Sequence, residues 1–322
     1  MHAAKFFVAF ALGLTATLAQ AAGLQFFEVP ADADWPALNG AMWYPCSEPP
    51  GKIDLGPYTL SVAKDCPLSG DRLPLVVVSH GRVGSFVNLY DLAETLANAG
   101  FIVAAINHPG DTTSDKSRSD NLSAFVERPA DIKRLVSEML GASPTAPKID
   151  PERIGFFGFS RGGYTGLVLI GANPDWSGAS EFCRQSSLPA CGSIRKKEFP
   201  AQPLAHDLRI RAAVVADPLG GFFFTAQSLA AVEVPVQLWA SERGGDGVTP
   251  ESLAAVNRNL PAKHEYHVVP NSEHFAFVIC PPALAKAEPA ICADAPGFDR
   301  VAFHKQFNAD VLAFFQAELR NR

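Results

Sequence analysis

The chain has 322 residues, a formal charge of −6 and 19% charged side chains, which is the composition of an ordinary globular protein. Its length is enough for one large α/β domain with a well-buried core. Because the chain is mildly acidic overall, it offers no surface that would neutralise a phosphate backbone, and nucleic acid is not an expected partner.

The first 21 residues have the pattern of a signal peptide. Lys5 gives a weakly basic start, residues 6–18 form a short apolar core, and Ala19-Gln20-Ala21 is a small-x-small cleavage pattern. The apolar run is short for a bilayer, and no later segment approaches ~18 uninterrupted apolar residues. We expect cleavage after Ala21 and a periplasmic or secreted protein of one domain, residues 22–322. An uncleaved anchor is the alternative.

Six cysteines follow this segment, and an even number in an exported protein favours disulfides. Sequential pairing would close three short loops. The chain contains no C-x-x-C motif of the kind found in zinc or thioredoxin-type sites. The expected bonds are therefore structural, with sequential pairing one of several possibilities: 46–66, 183–191 and 280–292.

Three segments near 25–28, 39–44 and 58–63 predict antiparallel lead-in strands. From residue 73 onward, strands and helices alternate, which predicts a mostly parallel sheet with helices on both faces. The predicted strands are 73–78, 101–106, 154–157, 210–216, 236–240 and 265–269, and the predicted helices are 88–99, 127–140, 163–170, 250–259 and 303–319. Residues 173–207 break this rhythm and predict a lid-like insertion.

The stretch 154–163, I-G-F-F-G-F-S-R-G-G, is the most informative motif. An apolar strand stops at G-x-S-x-G and a helix follows at once, which is the arrangement of a nucleophile elbow. Only glycine fits beside so sharp a turn. The motif predicts that Ser160 is a nucleophile and that the Arg161 N–H, at a helix N-terminus, stabilises an oxyanion.

Other strands also end in residues suited to a hydrolytic site. Asp217 follows one predicted strand directly, His80 and His108 come two residues after two others, and His274 follows the last one closely. In an open α/β sheet, functional groups gather at the carboxyl ends of the strands. We therefore expect these loops to meet at one edge of the sheet.

With these motifs in order, the chain resembles the α/β-hydrolase family, within it the platelet-activating-factor acetylhydrolase-like and predicted dienelactone-hydrolase-like enzymes. The matching stretches are V-V-V-S-H-G (76–81), G-F-S-R-G-G (158–163), A-V-V-A-D-P (213–218) and H-V-V-P-N-S-E-H-F (267–275). Dienelactone hydrolases proper use cysteine as nucleophile. Ser160 in that place favours carboxylic ester hydrolysis.

The roles can be assigned around Ser160, which needs an adjacent base. His274 is the candidate base, because the order Ser…acid…His expects it after the last strand. His80 and His108 are better suited to support the oxyanion loop. By resemblance, the backbone N–H of Arg82 is the second oxyanion donor beside that of Arg161.

The acid is open among three carboxylates. The acetylhydrolase-like enzymes place it one strand earlier than most α/β-hydrolases, which gives Asp217, and Pro218 fixes the backbone there. Asp246 recovers an Asp-x-Val-x-Pro pattern if two residues are inserted, and Glu242 lies in the same loop. A rigid, desolvated carboxylate best holds a histidine in one tautomer, so Asp217 is favoured and Asp246 is the main alternative.

These patterns predict an exported serine hydrolase that cleaves short-chain or lipid-like esters through an acyl-enzyme. A serine peptidase or acyltransferase with the same triad is the alternative, and a non-catalytic binding module is less favoured. We expect no cofactor. We also expect no metal, because His264 and His267 on one strand would point to opposite faces. The sequence leaves the natural ester and the oligomeric state open.

Overall fold

The computed structural model describes residues 21–177, 179, 183–184, 191–198, 202–261 and 263–320. The predicted signal peptide lies outside the described residues except for Ala21, where the first strand begins. Cleavage after Ala21 therefore stays a prediction.

Within the described ranges, ten strands form one sheet in the order β10-β9-β8-β7-β5-β6-β2-β1-β4-β3. They are β1 (Ala21–Val29), β2 (Leu38–Cys46), β3 (Gly51–Leu55), β4 (Tyr58–Lys64), β5 (Leu73–Ser79), β6 (Ile102–Ile106), β7 (Ile149–Phe159), β8 (Ile210–Ala216), β9 (Val236–Ser241) and β10 (His264–Val269).

Strands β5 to β10 all pair in parallel, as the alternating pattern predicted. The interior strands are nearly continuous apolar runs because helices cover both faces of the sheet. Strands β5, β7 and β8 lie side by side, so their carboxyl ends meet at one edge and carry the loops that begin at His80, Ser160 and Asp217.

The lead-in strands differ from the prediction in two respects. β1 and β2 are antiparallel, and β2 joins β6 antiparallel, but β4 pairs in parallel with β1. β4 also pairs antiparallel with β3, a strand that the sequence analysis missed. β3 is only five residues long and is largely exposed, so it lacks the apolar run by which the other strands were recognised.

The longer helices lie on the two faces of the sheet and pack into two apolar clusters. One face carries α2 (Ala124–Leu140), α3 (Arg161–Leu169) and α6 (Pro250–Asn259), and the other carries α1 (Tyr90–Asn98) and α8 (Arg300–Glu318). Shorter helices are α4 (Cys191–Arg195), α5 (Ala226–Leu229) and α7 (Pro282–Ala287). None of the helices in the described ranges is long and apolar enough to cross a membrane.

Helix α2 begins three residues before its predicted start, and Pro129 lies inside it. As the sixth residue of the helix, Pro129 has no N–H to donate to the Phe125 carbonyl, so one helical hydrogen bond is missing there. In the turn before it the helical bond is present, since the Glu127 N–H donates to the carbonyl of Ser123, the N-cap residue, at 2.8 Å.

The six cysteines form three disulfides, as expected, and they pair sequentially, a connectivity that the sequence left open. Bonds join Cys46 to Cys66, Cys183 to Cys191, and Cys280 to Cys292. The second bond lies in the predicted insertion 173–207, only part of which belongs to the described residues. The third bond ties together the segment between the turn that carries His274 and helix α8.

Candidate active site

Ser160 sits at the turn between β7 and α3 with φ of 56° and ψ of −117°. A side chain rarely adopts this backbone conformation, and such strained residues cluster at functional sites. The Ser160 N–H donates to the Ala216 carbonyl at 2.9 Å, which fixes the turn to strand β8. The strand, turn and helix are therefore arranged as the sequence predicted for a nucleophile elbow.

The two glycines that flank this turn have no room for a side chain. A Cβ on Gly158 would collide with the Gly162 carbonyl, and one on Gly162 would collide with the Ser79 carbonyl. The G-x-S-x-G spacing thus has the steric origin that the sequence analysis assumed, and it brings the end of β5 against the start of α3.

His274 begins a 3₁₀ turn, His274–Phe277, shortly after β10. Its Nε2 lies 2.9 Å from the Ser160 Oγ, and its side chain is buried. The His274 N–H donates to the Gly244 carbonyl at 2.8 Å, so the loop after β9 holds the backbone of this residue. The structure therefore brings the predicted nucleophile and base together.

Asp217 is the carboxylate that faces His274. Its Oδ2 lies 2.7 Å from the His274 Nδ1, and the residue is fully buried. Ser241, at the end of β9, donates its N–H to Oδ1 and its hydroxyl to Oδ2, both at 2.6 Å. With both oxygens bonded, the carboxylate has one orientation, and the imidazole carries its proton on Nδ1.

Asp246 and Glu242 are exposed and do not reach His274. The Glu242 carboxylate instead accepts the Asn271 N–H at 2.6 Å. The loop that carries both residues contributes to the site through its main chain, by way of the Gly244 carbonyl. Of the three candidate acids, the structure brings only Asp217 to the base.

The two predicted oxyanion donors belong to residues that lie near Ser160. Arg161 is the first residue of α3, and Arg82 follows Gly81, whose Cβ position would lie 3.4 Å from the Ser160 Cβ. Neither backbone N–H donates a hydrogen bond to another part of the chain that the structure describes. The Arg82 side chain points away to an ion pair with Asp120 at 2.8 Å.

His80 and His108 support the loop after β5, in line with the sequence-based interpretation. The His80 Nδ1 lies 2.6 Å from the Gly81 carbonyl oxygen. The Ser79 hydroxyl oxygen lies 2.9 Å from the Nε2 of His108. The other ring nitrogen of His108, Nδ1, lies 2.9 Å from the Asp131 Oδ2. Burial lowers the pKa of His108 well below its ordinary value and raises that of Asp131 to about 7.

Arg128 and Asp111 were not predicted as site residues, yet they form a buried ion pair beneath the same loop, at 3.0 Å. Asp111 also binds the Arg161 guanidinium at 2.7 Å. One feature of the sequence could have indicated that Arg128 is buried. It lies four residues before Ile132 and seven before Leu135, on the apolar side of α2. A charged residue on a buried helical face must be paired.

His304 on α8 is a third residue that the sequence analysis did not assign to the site. Its Nε2 lies 2.9 Å from the Ala276 carbonyl oxygen, in the 3₁₀ turn that begins with His274. Its Nδ1 lies 2.7 Å from Asp91 on α1. Helices α1 and α8 thus hold the turn that carries the candidate base.

Aromatic residues near the site belong mostly to the core. Phe223 packs against Phe125, Tyr164 and Trp176, and Phe277 packs against Phe159. Phe275 remains partly exposed and lies beside the His274 ring, with 5.2 Å between ring centroids. Among the described side chains, no three His, Cys, Asp or Glu residues converge as a metal site requires.

Comparison with known proteins agrees with this architecture. The family model of platelet-activating factor acetylhydrolase, isoform II, matches residues 51–134. The matched part includes the loop after β5, Asp111 and Arg128, and it ends before Ser160. No curated protein sequence matches the chain significantly.

Solved structures of hydrolases are similar over most of this chain. A ferulic acid esterase from Streptomyces cinnamoneus has a TM-score of 0.63 at 20% identity, over 96% of this chain and 92% of the esterase. A cold-adapted esterase from an Arctic intertidal metagenomic library has a TM-score of 0.50 at 16% identity, over 92% of this chain and 94% of that esterase.

A peptidase has the same architecture. The acylaminoacyl peptidase of Pyrococcus horikoshii has a TM-score of 0.53 at 13% identity, over 94% of this chain and 42% of the peptidase. At such identities these likenesses establish the fold. The protein therefore has the α/β-hydrolase fold, and over residues 51–134 it resembles the isoform II platelet-activating factor acetylhydrolases.

Proposed function

We propose that the protein is a serine hydrolase of carboxylic esters, with Ser160 as nucleophile, His274 as base and Asp217 as the acid. The observation that carries this proposal is the buried hydrogen-bonded chain from Asp217 through His274 to Ser160. A serine hydroxyl is a weak nucleophile unless a base can take its proton, and this base is oriented by a fixed carboxylate.

In the proposed reaction the Ser160 Oγ attacks the ester carbonyl carbon while His274 accepts the hydroxyl proton. The negative charge on the former carbonyl oxygen is stabilised by the N–H groups of Arg82 and Arg161. His274 then returns the proton to the departing alcohol, which leaves an acyl group on Ser160. Water, deprotonated by the same histidine, releases the carboxylic acid and restores the serine.

The proposed substrates are short-chain or lipid-like esters. Phe275 supports an apolar contact at the site because it is partly exposed next to His274. Three disulfides in one chain support export to an oxidising compartment, as the predicted signal peptide also does.

The test is hydrolysis of p-nitrophenyl esters from acetyl to palmitoyl by the wild-type protein and by Ser160→Ala. We expect the variant to lose at least about 10⁴-fold in kcat, since removal of a triad serine is among the most costly changes in such enzymes. Labelling with a fluorophosphonate, followed by mass spectrometry, should place the adduct on Ser160 in the wild type.

Peptide p-nitroanilides and acyl transfer to an added alcohol distinguish an esterase from a peptidase or an acyltransferase. Hydrolysis of the anilides at rates comparable to those of the esters would favour a peptidase. If every ester is hydrolysed at the background rate by wild type and variant alike, the proposed function is wrong.

A further inference from the structure

The peptide group between Gly81 and Arg82 is held from its carbonyl side by buried donors. The Gly81 carbonyl oxygen accepts bonds from the His80 Nδ1 at 2.6 Å, the Arg128 Nη2 at 3.0 Å and the Gly84 N–H at 3.2 Å. Arg128 also donates from Nη1 to the His80 carbonyl at 2.6 Å. One guanidinium therefore fixes two consecutive peptide groups of the loop after β5.

This contact determines where the Arg82 N–H points. The peptide is trans, like every described peptide bond, so its N–H points opposite to its carbonyl oxygen. With the carbonyl directed at Arg128, the N–H is directed away from the buried side of the loop. It has no acceptor among the described residues, and the neighbouring Gly81 lies against Ser160.

The tautomer of His80 is consistent with this arrangement. Its Nε2 accepts the His108 N–H at 3.3 Å, so the proton of the neutral ring lies on Nδ1 and is donated to the Gly81 carbonyl. Burial, reinforced by the neighbouring Arg128, lowers the pKa of His80 to about 3, which keeps the ring neutral. The cation in this support is therefore Arg128.

Asp111 connects Arg128 to the start of helix α3 and to the loop after β5. Its Oδ2 binds the guanidinium groups of Arg128 and Arg161, and its Oδ1 accepts the Val83 N–H at 2.9 Å. Val83 has a φ of 56°, which is strained for a β-branched residue and persists only where the surroundings enforce it. A single buried carboxylate thus binds both Arg161, which provides one proposed oxyanion donor, and Val83, the residue that follows the other.

We propose that Arg128 is a positioning residue of the oxyanion hole, which orients and polarises the Gly81–Arg82 peptide so that its N–H stabilises the tetrahedral oxyanion. This inference rests on the proposed ester hydrolysis. Donation to a carbonyl strengthens the N–H of the same peptide group as a donor, because hydrogen bonds in series polarise one another. The guanidinium itself touches neither the substrate nor the reacting atoms.

The experiment compares Arg128→Met with the wild type on p-nitrophenyl butyrate and with phenylboronic acid, whose tetrahedral adduct on a serine mimics the transition state. We expect kcat to fall about 10–100-fold with KM changed less than about threefold, since outright loss of one donor costs about 10²–10³-fold. The affinity for phenylboronic acid should fall by the same factor as kcat/KM. Added guanidinium ion, well below denaturing concentrations, should restore part of the rate.

Arg134→Met is the matched control. Arg134 lies on the same helix and also donates to two main-chain carbonyls, those of Pro36 and Pro30 at 2.9 and 2.8 Å, away from the site. Its substitution should leave kcat and boronic acid affinity of the folded protein unchanged. If Arg128 only stabilises the fold, folded Arg128→Met should keep the kcat and the boronic acid affinity of the wild type, as Arg134→Met does.

Folding is checked by near-ultraviolet circular dichroism and thermal unfolding. If Arg128→Met does not fold, Arg128→Lys and His80→Gln take its place, because each weakens the donors to the Gly81 carbonyl while keeping more of the buried volume. A folded variant with kcat and boronic acid affinity within threefold of the wild type would overturn the inference. Failure of the proposed function has a different signature, namely a wild-type protein with no Ser160-dependent hydrolysis.

Discussion

Asp217 leaves strand β8 with a φ of 46°, a conformation that turns its carboxylate out of the sheet and toward His274. The Ser241 N–H and hydroxyl hold its two oxygens, so the carboxylate keeps one orientation toward the His274 ring. Asp246 also has a positive φ, but it is exposed between glycines, and none of the described residues forms a hydrogen bond with its carboxylate. Rigidity and burial are what distinguish the two aspartates.

Substitution Asp217→Asn should lower kcat for p-nitrophenyl butyrate by about 10⁴-fold, because an amide cannot stabilise the imidazolium and favours the wrong tautomer of His274. The kcat of Asp246→Asn and Glu242→Gln, measured in parallel, should stay within about threefold of the wild-type value, because these exposed side chains do not reach the base. A large loss in Asp246→Asn with a near-normal Asp217→Asn would reassign the acid.

Among single residues, the sequence could predict those that belong to a local motif, but it could only favour one candidate among residues that meet in three dimensions. Ser160 is defined by its glycines, and His274 by its place after the last strand. The acid was left open because three carboxylates follow adjacent strands at plausible distances. Arg128 carried no motif, since its role depends on contacts to a loop 48 residues earlier.

At the scale of elements, the site depends on how closely α3 approaches the end of β5. The first turn of the helix touches the loop backbone at Gly162, where any Cβ would meet the Ser79 carbonyl. Strands β5 and β7 are neighbours paired in register from Leu75 to Ser79, so neither can move away alone. The loop after β5 and the serine turn therefore share one steric constraint.

Gly162→Ala should destabilise the protein by about 1–3 kcal/mol, as overpacking of a tight contact does, and should reduce activity by displacing the loop after β5. Gly192→Ala is the matched control, because a Cβ there meets nothing within 4 Å and alanine favours the helix in which it lies. Urea unfolding and kcat, measured for both variants, check the prediction. Equal stability and activity in Gly162→Ala would contradict the tight approach.

The elements themselves were predictable where burial imposes a clear pattern. Strand 210–216 and helix 250–259 have the predicted bounds, since one is an apolar run and the other starts at a proline after a capping threonine. Strand β3 and the 3₁₀ turn at His274 were missed because short, partly exposed segments have little periodicity. The parallel pairing of β4 with β1 depends on contacts that no local pattern contains.

At the scale of the whole molecule, stability depends on buried polar groups away from the site. Glu94 on α1 lies beside Asp91, and its Oε1 is buried without a partner among the described residues. Burial, followed by the charge of Asp91, raises the pKa of Glu94 to about 7. The folded protein therefore keeps this carboxyl protonated over a range of pH in which the unfolded chain ionises it.

The sign of the effect follows from the raised pKa. Below about pH 4.5 both states hold the proton, and Glu94 does not affect the free energy of unfolding. Between that pH and about 7 the unfolded state alone loses its proton, so stability falls as pH rises, by about 3 kcal/mol at most. Above about pH 7 the loss is complete and constant.

Glu94→Gln should therefore raise the free energy of unfolding by about 1–3 kcal/mol at pH 8 and by little at pH 4, because a neutral amide fills the same space without ionising. Urea unfolding of the disulfide-intact protein at both values measures the difference. Glu48→Gln, on an exposed loop, is the control and should stay within about 0.5 kcal/mol of the wild type at both. A stability difference for Glu94→Gln that is the same at pH 4 and pH 8 would show that the carboxyl is ionised equally in both states, and that helix α1 does not bury it as the structure has it.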